Sequence, residues 1–76
     1  MSFSKEQLVF WIGKILKIEF DSMFSDYIQK NAVLEELEIE GLVETSTYYP
    51  AGTPPMKILG IITSKGLDFA KNNGLI

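Results

Sequence analysis

The sequence contains no cysteine, no histidine and no arginine. Without cysteine the chain can form no disulfide and perform no thiol chemistry, a composition that fits a cytoplasmic protein. Without histidine it lacks the commonest general base and metal ligand. Without arginine it lacks the planar group that contacts guanine or phosphate at two points. These absences argue against an enzyme, and they leave lysine as the only cationic side chain.

Long apolar runs and positive charge are also scarce. No run approaches the roughly 20 apolar residues that span a bilayer, so we expect no membrane insertion. The net charge is −3, whereas domains that bind nucleic acid usually carry a basic face. The glycines are scattered rather than gathered in a phosphate-binding loop, and no convincing set of metal ligands is evident. We therefore expect no cofactor, no metal and no small-molecule substrate.

Size and composition predict one packed domain over residues 1–76. Hydrophobic residues make up 46% of the chain, which is ample for a core and argues against disorder. A domain of 76 residues has a marginal core, and chains of this size often gain stability by association.

The N-terminal segment predicts an amphipathic helix. Ser4 is a good N-cap, and Gln7 follows at the spacing of a capping box. The helix is expected to run to about Lys17 or Glu19. Its main apolar face consists of Leu8, Trp11, Ile12, Ile15 and Ile18.

Phe10 falls on the opposite side of this helix, near Lys14 and Lys17. A helix that is apolar on more than one side needs partners on more than one side. We therefore predict a homodimer whose interface includes Phe10, Trp11 and Lys14.

A short turn and a longer helix follow. One helical turn is expected from Asp21 to Phe24, in a segment shorter than the second helix of a standard helix-turn-helix. Ser25 or Asp26 then caps a helix from about Tyr27 to Glu40, and Gly41 ends it.

This longer helix carries two apolar stripes and many carboxylates. The stripe expected in the core is Tyr27, Val33, Leu34 and Leu37. The second stripe is Ile28, Ala32 and Ile39. Between the stripes lie Glu35, Glu36, Glu38 and Glu40. Such a run of glutamates is most often a solvated face that keeps a small protein soluble.

The C-terminal part predicts a β-hairpin and a last helix. Residues 42–49 and 56–62 are rich in β-branched and aromatic residues, and the proline-rich segment 50–55 forms the loop between them. Gly60 suggests a bulge in the second strand. The last helix is expected over residues 65–73. Tyr48 and Tyr49 are expected to cover the packing of the sheet and the helices.

Two stretches resemble a known family. The segment "LEELEIEGLVE", then a hairpin, then "ITSKGLDFAKNNG" is similar to winged-helix regulators of prokaryotes and phages, such as the multiple-antibiotic-resistance regulators and related small winged-helix proteins. The matching residues are Leu34, Leu37, Gly41, Leu42, Val43, Thr63, Lys65 and Gly66. They cover about half the chain. The resemblance implies an α+β winged-helix fold with three or four helices and a two-stranded antiparallel hairpin as the wing.

Three functions remain open, of which the third is a structural subunit whose wing and first helix serve only assembly. The resemblance implies a dimeric DNA-binding regulator or accessory factor, for which the candidate contact residues are Gln29, Lys30, Asn31, Thr53 and Lys57. Lysines would contact phosphates, and the amide side chains would read base edges. The alternative is an acidic winged-helix module that binds a partner protein, including a decoy that mimics DNA. Its candidate contact residues are Ile28, Ala32, Glu36, Ile39 and Glu40.

Overall fold

The computed structural model describes residues 2–76. Its elements are helix α1 (Lys5–Leu16), a 3₁₀ turn (Asp21–Met23), helix α2 (Tyr27–Ile39), strands β1 (Val43–Tyr48) and β2 (Met56–Ile62), and helix α3 (Ser64–Asn72). The two strands form one antiparallel sheet. The predicted α+β class is thus confirmed, and so is the order of the elements. None of the described helices is long and apolar enough to cross a membrane.

Helix α1 begins as its sequence predicts but ends earlier. The Ser4 hydroxyl accepts a hydrogen bond from the Gln7 amide at 3.3 Å, and the Gln7 side chain accepts one from the Ser4 amide at 2.8 Å. This is the predicted capping box. The helix ends at Leu16. The expectation that Ile18 belongs to its apolar face is wrong, because Ile18 is 94% exposed.

Ile18 occupies a position that normally belongs to glycine. Its φ is 58°, in the left-handed region that a β-branched residue rarely adopts. Its amide donates to the Ile15 carbonyl at 3.1 Å, and the Glu19 amide donates to the Lys14 carbonyl at 2.9 Å. These two bonds are those of a Schellman motif, in which Ile18 is the left-handed residue. The helix therefore ends at the cost of backbone strain.

We expect Ile18→Gly to raise the free energy of unfolding by about 1 kcal/mol, because the left-handed strain disappears. Ile18 is 94% exposed, so the substitution removes little packing. Chemical denaturation of the two proteins, followed by circular dichroism, measures the difference. Ile39→Gly is the matched control, because Ile39 is also exposed but lies in the last turn of α2, where glycine is unfavourable. Equal destabilisation by both substitutions would contradict the assigned strain.

Helix α2 supplies the centre of the core. The Asp26 carboxylate caps it by accepting the Gln29 amide at 3.0 Å, and Gly41 follows it with a φ of 78°. Leu34 and Leu37 are fully buried. The whole buried core consists of Leu8, Ile12, Phe20, Val33, Leu34, Leu37, Leu42, Val43 and Ala70.

The hairpin pairs its strands with one irregularity, at the predicted position. Glu44 faces Ile61 and Thr45 faces Leu59, so Gly60 has no partner residue. This arrangement is a β-bulge, as expected from the glycine. The expected role of the two tyrosines is wrong, because Tyr48 and Tyr49 are 55% and 74% exposed.

Thr63 and Gly66 join the C-terminal end of α2 to the start of α3. The Thr63 hydroxyl donates to the Gly41 carbonyl at 2.6 Å and also accepts the Gly66 amide at 3.0 Å. Gly66 is buried against the Leu42 backbone, at a point that leaves no room for a side chain. The "TSKG" stretch is thus a packing element that fixes how α3 lies against the strands.

Candidate functional site

An open groove of about 530 Å³ runs between α1, the 3₁₀ turn and α2. We call it the α1–α2 groove. Its apolar lining is Phe3, Trp11, Met23, Phe24, Ala32 and Val33. Its polar lining is Ser2, Gln7, Gln29, Glu35 and Glu36. It is about twice as large as a shallow concavity of about 250 Å³ beside Phe10.

An aromatic cluster makes one wall of the groove. The Trp11 ring stacks on Phe24, with centroids 5.2 Å apart and an interplanar angle of 16°. Phe20 meets both rings edge-on, with centroids 5.7 Å from Trp11 and 5.0 Å from Phe24. Phe20 is buried and precedes the 3₁₀ turn, while Phe24 follows it. The single 3₁₀ turn therefore holds two aromatic side chains against α1.

Two of the predicted DNA-contact residues lie in the first turns of α2. Gln29 is exposed and borders the α1–α2 groove. The Lys30 ammonium lies 2.7 Å from the Asp21 carboxylate. Binding of a phosphate by Lys30 would therefore compete with an ion pair inside the chain. The Asp26 carboxylate also caps this end of α2, and it places negative charge where a helix usually attracts an anion.

Asn31 fastens α2 to the start of β2. Its side-chain amide donates to the Pro55 carbonyl at 3.0 Å, and its side-chain oxygen accepts the Lys57 backbone amide at 2.8 Å. Two-point recognition of adenine uses the same amide and oxygen. Reading a base would thus require Asn31 to give up the contacts that hold the start of β2 against α2.

The side chain of Lys57 is also engaged within the chain. Its ammonium lies 3.0 Å from one oxygen of the Glu38 carboxylate, and the Thr45 hydroxyl donates to the other oxygen at 2.8 Å. The hydrogen bond from Thr45, followed by the hydrogen bond and charge of Lys57, lowers the pKa of Glu38 from its usual value. Thr53 is exposed in the loop, where its hydroxyl donates to the Pro50 carbonyl at 3.4 Å.

The alternative protein-contact face forms a ridge beside the groove. Ile28 and Ile39 are 65% and 69% exposed, and Ala32 is exposed between them. Their spacing places them with Glu35 on one side of α2. Glu36 and Glu40 are half-buried rather than fully exposed. The structure therefore brings apolar side chains and a carboxylate together on this ridge, which continues directly into the α1–α2 groove.

The predicted dimer residues lie in two different settings. Phe10 is 46% exposed, and the Lys14 ammonium lies 5.5 Å from the centre of its ring. Lys14 also lies 3.9 Å from the Glu19 carboxylate. Trp11, in contrast, is half-buried in the aromatic cluster and borders the groove. Phe10 and Lys14 thus lie on an outward face of α1 that does not line the groove, but the Phe10 ring meets the Trp11 ring edge-on with centroids 4.9 Å apart.

Sequence reasoning did not find the groove. The only sequence feature that could have indicated it is the pair of aromatic residues on either side of Asp21–Met23. Whether these two rings meet depends on how tightly the chain turns back toward α1 there. No group of three or more acidic residues within residues 2–76 is arranged to hold a metal ion.

Comparisons with family models, with curated proteins and with solved structures gave no match to this chain.

Proposed function

We propose that the chain is a small acidic protein-interaction module of winged-helix type. Its binding surface is the α1–α2 groove together with the exposed ridge of α2. The observation that carries the proposal is the groove itself, an apolar channel bounded by Trp11 and Phe24 with the Glu35 carboxylate at its edge. The order of helices and hairpin supports the winged-helix assignment, with the 3₁₀ turn in place of a second helix.

The partner that suits this surface is a basic amphipathic helix. The groove lies open along two helices, so a small molecule would keep much of its surface in water, whereas ligand pockets normally bury most of theirs. A helix laid in such a groove inserts apolar side chains spaced three and four residues apart. Its lysines or arginines would meet Glu35 at the groove and a chain of net charge −3.

DNA binding through α2 is less well supported. The charges of Lys30 and Lys57 are paired with Asp21 and Glu38, and both polar groups of Asn31 are engaged. Each lysine that contacts a phosphate must first leave its carboxylate partner. Electrostatic attraction from these residues is therefore reduced before DNA arrives.

The proposal predicts saturable binding of a lysine- and leucine-rich helical peptide about four turns long. Trp11 is the single tryptophan of the chain and lines the groove, so its fluorescence reports on occupancy. Glu35→Lys should weaken binding about three- to tenfold, since an attractive charge contact becomes repulsive. Glu44→Lys is the matched control, because Glu44 is an exposed glutamate on β1 away from the groove. Equal weakening by both substitutions would indicate attraction to net charge alone and would contradict a groove-bound peptide.

A further inference from the structure

The outward face of α1 carries a charge pattern that is complementary to itself. Glu6, Phe10 and Lys14 are spaced four residues apart, so they lie along one side of the helix. Glu6 is exposed, Phe10 is 46% exposed, and the Lys14 side chain is 27% exposed. The order along the helix is therefore acidic, aromatic, basic.

We propose that two copies of this chain associate through antiparallel α1 helices, with a two-fold axis at Phe10. In an antiparallel pair, positions equally far before and after the axis face one another. Glu6 of one protomer then faces Lys14 of its partner, and the same contact recurs on the other side of the axis. No other occupant is needed to satisfy both charges.

A shallow concavity beside Phe10 provides space for the partner's ring. It measures about 250 Å³ and is lined by Val9, Phe10, Gly13, Lys14, Lys17 and Leu75. A cavity of about 150 Å³ is large enough to bind benzene. Gly13 borders this concavity beside Leu75 of the same chain, which lies 3.7 Å from where a Cβ of Gly13 would be. The phenyl ring of Phe10 would leave water on association, which is the main attractive term.

The length of α1 limits the strength of this dimer. The helix has 12 residues, so it spans about 18 Å at 1.5 Å per residue. A contact of this length buries less surface than a standard stable interface, which places the dimer in the weak, reversible class. The present neighbour of Lys14, Glu19 at 3.9 Å, is a loose partner that a second copy can replace. The Phe10 ring meets the Trp11 ring edge-on, with centroids 4.9 Å apart, so the dimer face adjoins the aromatic wall of the α1–α2 groove without including Phe24.

Reversing the charges of Glu6 and Lys14 tests the proposed pairing of the two antiparallel α1 helices. Sedimentation equilibrium over a wide range of protein concentrations should show a monomer–dimer equilibrium for the wild type. Glu6→Lys and Lys14→Glu should each weaken association about tenfold, because two symmetry-related pairs become repulsive. The double variant should return to within about threefold of the wild type, since each pair is then reversed but attractive again. High salt should weaken the wild-type dimer.

Lys71→Glu is the matched control, because Lys71 is also a lysine in the last turn of a helix. It should not affect association. Circular dichroism of each variant shows whether α1 still forms, since reversing charges at helix ends has its own small cost.

A wild type that remains monomeric throughout, or a double variant no better than the single ones, would overturn the proposal. So would a dimer that persists unchanged in Phe10→Glu. Peptide binding in the groove is tested separately by comparing Glu35→Lys with Glu44→Lys at protein concentrations below those at which the dimer forms, because the Phe10 ring contacts Trp11.

Discussion

Gly66→Ala is expected to destabilise the fold by at least about 3 kcal/mol, the upper range of ordinary overpacking. A Cβ at this position would overlap the Leu42 carbonyl oxygen and lie 2.6 Å from a methyl group of Ile62. The first of these neighbours is backbone and cannot rotate away. Helix α3 would have to move off the strands, and the Thr63 cap would move with it.

A loss of this size should lower Tm by roughly 12 °C or more for a domain of this length. Thermal unfolding followed by circular dichroism measures it. Gly13→Ala is the matched control, because its added Cβ would lie at an ordinary 3.7 Å from Leu75. Alanine also favours a helix interior, so this variant should be as stable as the wild type or more so. Equal Tm values for the two variants would show that α3 does not pack as described.

Asn31→Ala is expected to lower the free energy of unfolding by about 1–3 kcal/mol. It removes both hydrogen bonds that join α2 to the Pro55 carbonyl and the Lys57 amide. Lys57 is half-buried, so its amide would be left with incomplete access to water. Urea denaturation at equilibrium measures the loss.

Asn31→Asp separates the two bonds. A carboxylate can still accept the Lys57 amide, but it cannot donate to Pro55, so this variant should lie between the wild type and Asn31→Ala. If Asn31 serves only to read DNA, neither substitution should change stability. If both variants unfold like the wild type, the structural role of Asn31 is contradicted and a role in contacting DNA is favoured.

The elements of this fold were predictable because local signals mark their ends. Ser4 with Gln7 starts α1, Gly41 ends α2, and Gly60 marks the bulge. The end of α1 was not predictable in the same way. Ile18 fits the apolar pattern of the helix, yet it takes a left-handed conformation that sequence rules reserve for glycine or asparagine.

The candidate site was less predictable than the fold. Helical spacing identified Ile28, Ala32 and Ile39 as an exposed stripe, because exposure on a helix follows from its period. The pairs Lys30–Asp21 and Lys57–Glu38 depend instead on how the turn and hairpin return to α2. A sequence shows that these lysines exist, but only the fold shows that each already has a carboxylate beside it.

The same contacts explain how so acidic a helix is accommodated. Glu38 is held by Thr45 and Lys57, and its pKa is lowered accordingly. Glu35 remains exposed at the edge of the groove. One glutamate therefore helps hold the hairpin against α2, whereas the other is placed to meet a partner. We infer that the acidic character of α2 serves packing and protein recognition more than contact with a duplex.

A single pair of NMR titrations distinguishes peptide binding in the groove from DNA binding by α2. ¹⁵N-labelled protein is titrated at low salt with the basic helical peptide and, in a parallel sample, with a random-sequence DNA duplex. We expect the peptide to shift the Trp11 indole signal and the amides of Phe24 and Glu35, while DNA leaves these signals in place and binds weakly or not at all. An acidic peptide with the same leucines should bind more weakly than the basic one. Salt-dependent DNA binding that shifts the first turns of α2 and is lost in Lys30→Ala, without any shift at Trp11 from the peptide, would contradict the proposed function.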